Sequence, residues 1–275
     1  MDFSVLMSVY NKEKGDNLNQ SLESILIKQS VIPKEVILVK DGPLNGELEA
    51  VISKYLKNFP NVLKLVEIPV NVGLGEALNV GLNHCNYPYV ARMDSDDICA
   101  FTRFELQTDY LKINPDIDLV GSNILEFFES PDKPVFIKKM PVSSKGIKEL
   151  QKRRNPINHV TVMFKKNAVL KAGGYLHLPY LEDYYLWVRM SDINCNLTNI
   201  DEELVFVRTG NEMFKRRGNK EYIYSWYNLQ KVMKNKNQIS YLDFIINMIN
   251  IIVFIYIPAK LKSKIYKYLL RKNVL

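Results

Sequence analysis

The chain has 275 residues, of which 47% are hydrophobic and 24% charged, so it can bury a large core and is not intrinsically disordered. Its three cysteines, Cys85, Cys99 and Cys195, are far apart and form no CxxC pair, which argues against a disulfide framework or a cysteine-based zinc site. The net charge is +7, but residues 212–275 carry 13 Lys and Arg against 3 Asp and Glu, whereas the remainder carries 24 against 27. The basic character therefore belongs to the C-terminal segment, and a nucleic-acid-binding body is not indicated.

The first 97 residues alternate between strand and helix patterns. Short apolar runs predict strands, and apolar residues at helical spacing predict helices between them. The predicted strands are 3–9, 36–39, 62–68 and 89–93, and the predicted helices are 16–29, 46–59 and 73–82. Because the chain opens directly in a strand pattern, we expect no signal peptide. Strands without a polar face that alternate with helices indicate a parallel sheet covered on both sides.

After residue 97 strands and helices no longer alternate regularly. The predicted helices are 101–113, 145–153, 167–172, 182–191 and 220–236, and the predicted strands are 119–128, 135–140, 160–164 and 204–207. No repeat or low-complexity linker divides this part of the chain. We therefore predict one α/β domain over 1–211, with halves 1–97 and 98–211, followed by a basic helical region over 212–275.

An acidic run, Met93-Asp94-Ser95-Asp96-Asp97, follows the fourth predicted strand. Three carboxylates this close together are costly to bury without partners. A divalent cation held by oxygen ligands, with a phosphate on its far side, would be such a partner. The run therefore predicts an enzyme that handles a nucleotide-diphosphate substrate; the alternative is a solvated acidic turn that caps the next helix.

Polar residues follow all four of these strands, at positions Asn11, Asp41, Asn71 and Asp94. The carboxyl ends of parallel strands meet at one edge of a sheet, which is where ligands bind. Other nucleotide and metal motifs are missing: the sequence has no GxxxxGK[ST] and no HExxH, and the glycines of 73–78 lack the third position of the dinucleotide fingerprint. The sequence therefore predicts a different kind of nucleotide site at this edge.

Five motifs in chain order resemble glycosyltransferase family 2, over about residues 1–210. They are Ser8-Val9-Tyr10-Asn11, Val39-Lys40-Asp41-Gly42, Asn71-Val72-Gly73-Leu74, Asp94-Ser95-Asp96-Asp97 and Glu182-Asp183-Tyr184. Residues 159–164 and Gly173-Gly174-Tyr175 are similar to the bacterial branch that builds O-antigen, capsule or exopolysaccharide repeat units. The QxxRW motif of processive members is absent, and its nearest substitute is 214–217, which argues for transfer of a single sugar.

The resemblance implies a GT-A-type nucleotide-binding sandwich with a mostly parallel central sheet, a UDP-sugar donor and a Mn²⁺ or Mg²⁺ ion. Val9 and Tyr10 would line the uracil and ribose, and Asp41 would contact the uridine. Asn71 would belong to the same nucleotide site. Asp94 would bind the ribose or help to hold the metal, and Asp96 would ligate the ion that bridges the two phosphates.

On the acceptor side, Glu182 and Asp183 match the acidic pair that supplies the catalytic base in the family. We favour Asp183 as the base, with Glu182 orienting it or binding the acceptor; the alternative is an acidic cap favoured by the helix dipole. Arg208, with the basic run 215–217, would close over the diphosphate, unless this is only a solvated basic stretch. His159 would contact acceptor or metal, or have a structural role.

The C-terminal apolar run, 244–257, has fourteen residues, fewer than the roughly 20 that a membrane span needs. Six basic residues follow it: Lys260, Lys262, Lys264, Lys267, Arg271 and Lys272. This pattern is typical of a segment that lies on an anionic membrane surface; the alternative is a core helix with a solvated basic end.

Taken together, these features predict an inverting, metal-dependent glycosyltransferase that moves a hexose or N-acetylhexosamine from a UDP-sugar. The acceptor would be an undecaprenyl-diphosphate-linked saccharide at the cytoplasmic face of the plasma membrane, with the enzyme bound peripherally and no nucleic acid as partner. Two alternatives stay open at this point. One is a nucleotidyltransferase that uses a metal-bound nucleoside triphosphate, and the other is a non-catalytic membrane-associated nucleotide-binding module.

Overall fold

One mixed sheet organises the chain in the computed structural model, which describes residues 1–209 and 220–257 and the backbone of 272–273. Its strands are β1 (Phe3–Val9), β2 (Glu35–Asp41), β3 (Leu63–Ile68), β4 (Tyr89–Asp94), β5 (Ile98–Cys99), β6 (Leu119–Phe127), β7 (Phe136–Lys138), β8 (Met163–Lys165), β9 (Leu197–Arg208) and β10 (Lys272–Asn273). The helices are α1 (Gly15–Leu26), α2 (Gly46–Asn58), α3 (Leu74–His84), α4 (Arg103–Ile113), α5 (Ser144–Gln151), α6 (Lys166–Lys171), α7 (Glu182–Asp192), α8 (Lys220–Asn235) and α9 (Tyr241–Tyr256).

The strand order is β10-β7-β6-β8-β4-β1-β2-β3, with β9 beside β6 and β5 beside β9. The four strands β4-β1-β2-β3 are parallel, as predicted for the first half of the chain. The sheet as a whole is mixed, because β8 runs antiparallel to both β4 and β6 and β7 runs antiparallel to β6, although β6 and β9 are again parallel. The sheet is therefore parallel where the nucleotide site was predicted and mixed beyond it.

Alternate side chains of the central strands enter two different cores. On β1, Val5 and Met7 pack with α1, α2 and α4, whereas Leu6 packs on the opposite face with α3, α6 and α7. A strand buried on both faces has no polar side, which is why these strands read as continuous apolar runs. The parallel half of the sheet is thus held between two helical layers.

Helices α8 and α9 pack on the outer side of α7. A third apolar cluster joins Tyr184 and Val188 of α7 to Trp226 of α8, and Phe244 of α9 packs against it. Asn247 of α9 is buried at this contact. Its Nδ2 donates to Gln230 Oε1 at 2.8 Å and to the Lys152 carbonyl at 2.7 Å. None of the helices within 1–209 and 220–257 is long and apolar enough to cross a membrane.

Two predicted strands differ from the structure. Residues 159–161 form a 3₁₀ turn ahead of β8, because Thr161 Oγ1 donates to the Asn158 carbonyl at 2.8 Å and accepts from the Ser122 N–H at 2.9 Å. The predicted strand 204–207 is the second half of β9, whose first half includes a polar, exposed stretch that breaks the apolar pattern. Side-chain hydrogen bonds therefore determine the 3₁₀ turn at 159–161, and pairing with β6 determines the full length of β9.

Candidate active site

The carboxyl ends of β4, β1, β2 and β3 lie side by side at one edge of the sheet. Ser8 of β1 is in register with Asp94 of β4, and Asp41 of β2 is in register with Ile68 of β3. The polar residues that follow these strands therefore share one edge, as the sequence predicted. This edge is where open α/β sheets bind ligands.

Asp41 organises the loop between β3 and α3. Its carboxylate is buried and accepts hydrogen bonds from Asn71 Nδ2 at 2.9 Å, the Val72 N–H at 2.7 Å and the Gly73 N–H at 3.1 Å. Gly42 makes this approach possible, because its φ is 83° and a Cβ there would lie 2.7 Å from the Asn71 nitrogen. Asp41 and Asn71 are thus in direct contact, and the carboxylate already has three donors.

The loop after β1 places its two predicted nucleotide contacts differently. Val9 is buried in the core next to α1, so it can contact a nucleotide only through its main chain. The side chain of Tyr10 is 38% exposed at the same edge. Tyr10 is therefore the side chain of this pair that a base or ribose can reach.

The acidic run forms a compact cluster. Carboxylate oxygens of Asp94, Asp96 and Asp97 all lie within 4.8 Å of one another. Burial, reinforced by the charges of Asp94 and Glu13, raises the pKa of Asp96 to about 7. Burial, reinforced by the charges of Asp96 and Asp94, raises the pKa of Asp97 well above its usual range. Three carboxylates this close together repel one another unless a cation joins them, and their hard oxygen ligands fit Mg²⁺ or Mn²⁺.

Arg208, at the end of β9, reaches the same loop. Its N–H donates to Asp97 Oδ1 at 2.8 Å, its Nε donates to the Asp96 carbonyl at 3.2 Å, and its Nη2 donates to Gln20 Oε1 at 3.0 Å. The structure therefore brings Arg208 to the acidic cluster, as its predicted role requires. The basic run 215–217 lies outside the described residues.

A buried arginine lies beneath this cluster and was not among the predicted site residues. Arg92 Nη2 donates to Asp94 Oδ1, and the arginine is only 2% exposed. The Nε and Nη1 atoms of Arg92 are buried and have no hydrogen-bond partner among the described residues. The sequence held one signal for it. Arg92 is a charged residue within an apolar strand, and because it lies two residues before Asp94 it must point to the same face of the sheet as Asp94.

The acidic pair opens α7 on the other side of the edge. Asp183 Oδ2 accepts from Asn155 Nδ2 at 2.6 Å, and its Oδ1 accepts from the Tyr184 N–H at 2.7 Å. Glu182 is half-buried. Its pKa is raised mainly by burial and to a smaller extent by the charge of Asp183. A Cβ on Gly75 would lie 3.4 Å from Glu182 Cγ, so this glycine lets the first turn of α7 approach the first turn of α3. The prediction missed Asn155, for which the sequence holds no periodic or motif signal.

Tyr175 links the two sides of the site. Its hydroxyl lies 2.9 Å from His159 Nε2, and the pKa of Tyr175 is raised by burial and further by the charges of Asp183 and Asp94. His159 packs edge-on against the core residue Trp187, and burial lowers the pKa of this histidine well below its usual range. His159 is therefore a neutral, packed side chain here, and both acidic groups lie close enough to Tyr175 for their charges to reach it.

Known proteins are similar to this chain in sequence and in fold. The family described as Glycosyl transferase family 2 matches residues 4–172. The chain is 41% identical over 232 residues to the amylovoran biosynthesis glycosyltransferase AmsE of Erwinia amylovora, covering 84% of this chain and 85% of that protein. It is 40% identical over 270 residues to the UDP-Gal:alpha-D-GlcNAc-diphosphoundecaprenol beta-1,3-galactosyltransferase of Escherichia coli, covering 98% and 97%.

A solved structure has the same fold. The mannosyltransferase PcManGT from Pyrobaculum calidifontis, in complex with GDP-Man and Mn²⁺, superposes with a TM-score of 0.63 at 13% identity, covering 95% of this chain and 72% of that chain. This similarity shows the fold alone and supports the predicted α/β, GT-A-like architecture. With the family matched over most of the chain and two bacterial relatives above 30% identity, the chain belongs to glycosyltransferase family 2.

Proposed function

We propose that this glycosyltransferase is an inverting, metal-dependent enzyme that transfers a hexose or N-acetylhexosamine from a UDP-sugar to an undecaprenyl-diphosphate-linked saccharide. One observation supports the proposal: the first turn of α7, which carries Glu182 and Asp183, lies against Gly75 in the first turn of α3, and α3 begins at the sheet edge where the Asp94–Asp97 cluster lies. The Escherichia coli relative, 40% identical over nearly the whole chain, has this kind of donor and acceptor in its name. Membership of the family removes the nucleotidyltransferase and non-catalytic alternatives.

The donor side of the site serves the leaving group. Asp96, with Asp94, would hold a Mn²⁺ or Mg²⁺ ion, which supplies positive charge to the departing diphosphate. Asp41 keeps the loop at Asn71 in place beside the nucleotide, and Arg208 adds a guanidinium at the same cluster. These groups bind and orient the UDP moiety so that its bond to the anomeric carbon can break.

The acceptor side supplies the base. Asp183 would remove the proton from the attacking hydroxyl while the new bond to the anomeric carbon forms and the bond to the UDP oxygen breaks, which inverts the configuration. The hydrogen bonds from Asn155 and from the Tyr184 N–H stabilise the ionised carboxylate and fix its direction. Glu182, whose raised pKa comes from burial, lies one residue earlier at the contact with α3 and is positioned to orient acceptor or base.

The C-terminal helix supports a location at the membrane. One face of α9 presents eight large apolar side chains that are between 37% and 80% exposed. We call this the apolar face of α9; its residues are Tyr241, Leu242, Ile245, Ile246, Ile249, Ile252, Val253 and Tyr256. The opposite side of the helix packs against the apolar cluster of α7 and α8 through Phe244, Ile251 and Ile255.

We propose that a lipid surface covers the apolar face of α9. The residues after position 257 include six Lys and Arg and no Asp or Glu, which favours an anionic bilayer over an acidic-tailed or neutral protein partner. Those basic residues lie outside the part of the chain whose side chains the structure describes. A peripheral position at the cytoplasmic face of the plasma membrane would bring the enzyme to an acceptor that is anchored in lipid.

The proposed activity is tested by UDP release. The full chain is incubated with a panel of UDP-sugars, including UDP-galactose, together with Mn²⁺ or EDTA and a synthetic GlcNAc- or GalNAc-diphosphate-lipid. We expect one donor to be turned over when acceptor is present, and EDTA to abolish the reaction.

Three other results would identify the part of the proposal that fails. Turnover that persists in EDTA would contradict the metal requirement. Metal-dependent UDP binding without turnover on any lipid would contradict the acceptor. Release of α-linked product would contradict a single inverting displacement at the anomeric carbon of an α-linked donor.

A further inference from the structure

Arg92 occupies an unusual position for a charged residue. It lies in the middle of β4, among apolar neighbours, and its side chain points to the same face as Asp94. The residue is 2% exposed, whereas the Asp94 side chain is 36% exposed, so the arginine lies under the carboxylate and the carboxylate faces the site.

Among the described residues, Arg92 is directly paired with a single carboxylate, that of Asp94. Arg92 Nη2 donates to Asp94 Oδ1, and Asp94 supplies the one carboxylate within 4.0 Å of the guanidinium among the described residues. The buried Nε and Nη1 atoms have no partner within the same part of the chain. A guanidinium stays charged in proteins, and burying one is costly unless a carboxylate pairs with it.

This pairing affects any cation that approaches the acidic cluster. Oxygens of Asp94, Asp96 and Asp97 lie within 4.8 Å of one another, so a divalent ion held by them would also be close to Arg92. Arg92 repels such an ion and already occupies one oxygen of Asp94, both of which oppose binding of the ion. A diphosphate brings negative charge to the same place and offsets that repulsion.

We propose that Arg92 is a positioning residue that acts as the resident counter-ion of the acidic cluster: it holds Asp94 and keeps the affinity for a divalent cation low until a nucleotide diphosphate is present. The inference rests on the proposed metal and UDP site and adds an order of events to it. The cation enters with the nucleotide or after it, and the free enzyme stays largely metal-free.

Mn²⁺ binding to the full chain tests this directly, by calorimetry or by the electron paramagnetic resonance of free Mn²⁺, with and without UDP. The wild type should bind Mn²⁺ weakly alone and at least about tenfold more tightly with UDP present. Arg92→Met removes the charge with little change in volume and should tighten binding of Mn²⁺ alone by about tenfold. Arg92→Lys keeps a cation at the position and should restore weak binding, which a purely structural role would not predict.

Folding of these variants is checked by circular dichroism and thermal unfolding. Arg92→Met should fold, because the carboxylate it leaves behind is partly exposed and can be hydrated. If Arg92→Met does not fold, Arg92→Gln takes its place, because glutamine is neutral but can still donate a hydrogen bond to Asp94. Lys112→Met, which removes an exposed cation of α4 paired with Asp109, controls for the change in net charge and should bind Mn²⁺ as the wild type does.

The outcomes separate this inference from the proposed function. If Mn²⁺ alone binds the neutral variant no more tightly than it binds the wild type, the counter-ion role is wrong, while UDP-dependent Mn²⁺ binding by the wild type would leave the proposed function intact. If Mn²⁺ alone binds the wild type as tightly as it does with UDP, the order of events is wrong. If the wild type binds no Mn²⁺ even with UDP, the metal site itself is wrong, and the inference fails with it.

Discussion

Asp94 and Asp96 are close neighbours in one motif, but their carboxylates have different partners. Asp94 compensates a buried guanidinium. Asp96, by contrast, has its pKa raised to about 7, first by burial and then by the like charges around it. Removing the charge of Asp94 therefore leaves Arg92 buried and unpaired, and removing that of Asp96 relieves repulsion.

We predict that Asp94→Asn lowers the free energy of unfolding by about 3 kcal/mol in EDTA, because it leaves a buried, unpaired charge. Asp96→Asn should leave that free energy unchanged or slightly raised under the same conditions. Urea unfolding of both variants measures the difference. The double variant Asp94→Asn with Arg92→Met is the control, and it should recover most of the lost stability; equal stabilities of the two single variants would contradict the pairing.

For the base, we predict that Asp183→Asn lowers kcat by about 100-fold or more with little change in UDP affinity, because the carboxylate acts on the acceptor hydroxyl. Initial rates and UDP titration measure the two effects. Full activity of this variant would rule out the assignment.

Asn155→Ala tests how that carboxylate is held. The variant removes the 2.6 Å hydrogen bond to Asp183 Oδ2, so we expect kcat to fall about tenfold, with the KM for the UDP-sugar nearly unchanged. An equal rise in the donor KM would instead place Asn155 on the donor side of the site.

Sequence reasoning found the residues that belong to motifs and missed those that support them. Asp41, Asn71 and the acidic run follow strand ends, which a pattern of apolar runs reveals. Asn155 meets Asp183 across 28 positions of the chain, and only the folded structure brings such a pair together.

At the scale of elements, α9 carries a sharp division between two faces. Ile251 and Ile255 pack against the apolar cluster of α7 and α8, while Ile249 and Val253 are exposed. Deleting the helix would therefore expose part of the core as well as remove the apolar face, so substitutions on that face are the cleaner test.

We predict that Ile249→Ser combined with Val253→Ser weakens binding to vesicles of anionic phospholipid about tenfold or more, because both exposed side chains lose apolar area that the bilayer would bury. Vesicle co-sedimentation measures it, with thermal unfolding to show that the fold is unchanged. Ile113→Ser is the matched control, since Ile113 is 80% exposed on α4. Vesicle binding that survives the double substitution would place the membrane contact elsewhere.

The elements that sequence reasoning predicted well are those whose environment is uniform. β1 to β4 are buried on both faces, and the helices between them have one apolar side, so their bounds agree with the structure to within about three residues. β5 is too short to show a pattern, and the polar first half of β9 is a strand only because it pairs with β6. Pairing across distant segments is invisible in a local pattern.

At the scale of the whole molecule, Glu35 joins several elements at the edge opposite the active site. Its carboxylate accepts from Ser4 Oγ at 2.7 Å, from Lys64 Nζ at 2.7 Å and from the Asn86 side chain at 2.8 Å. Burial alone would raise the pKa of Glu35, but these hydrogen bonds, led by that of Lys64, lower it to about 2. The hydrogen bonds to the Glu35 carboxylate therefore connect β1, β2, β3 and the turn before β4.

We predict that Glu35→Gln lowers the free energy of unfolding by about 2 kcal/mol at neutral pH, because the ionised carboxylate is favoured in the folded state. A lowered folded-state pKa gives stability that is present above the ordinary pKa of 4.5 and is lost as pH falls towards about 2. Urea unfolding at about pH 6 and about pH 3 measures the effect, and the variant should approach the wild type at the lower pH. A gap that does not shrink on acidification would show that Glu35 stabilises by packing alone.

Helix α7 carries Glu182 and Asp183 in its first turn and buries Trp187 against the sheet. Its Tyr184 and Val188 belong to the apolar cluster against which α9 packs. An eleven-residue helix is about 16 Å long, so one short helix carries the proposed catalytic pair and also borders the apolar cluster on which α9 packs. With α9 resting on a bilayer, the site would stand at one fixed height above the headgroups, set by the thickness of the fold and not by a flexible tether. A site held at a fixed height would suit a lipid-linked acceptor of one length, which agrees with the proposed transfer of a single sugar.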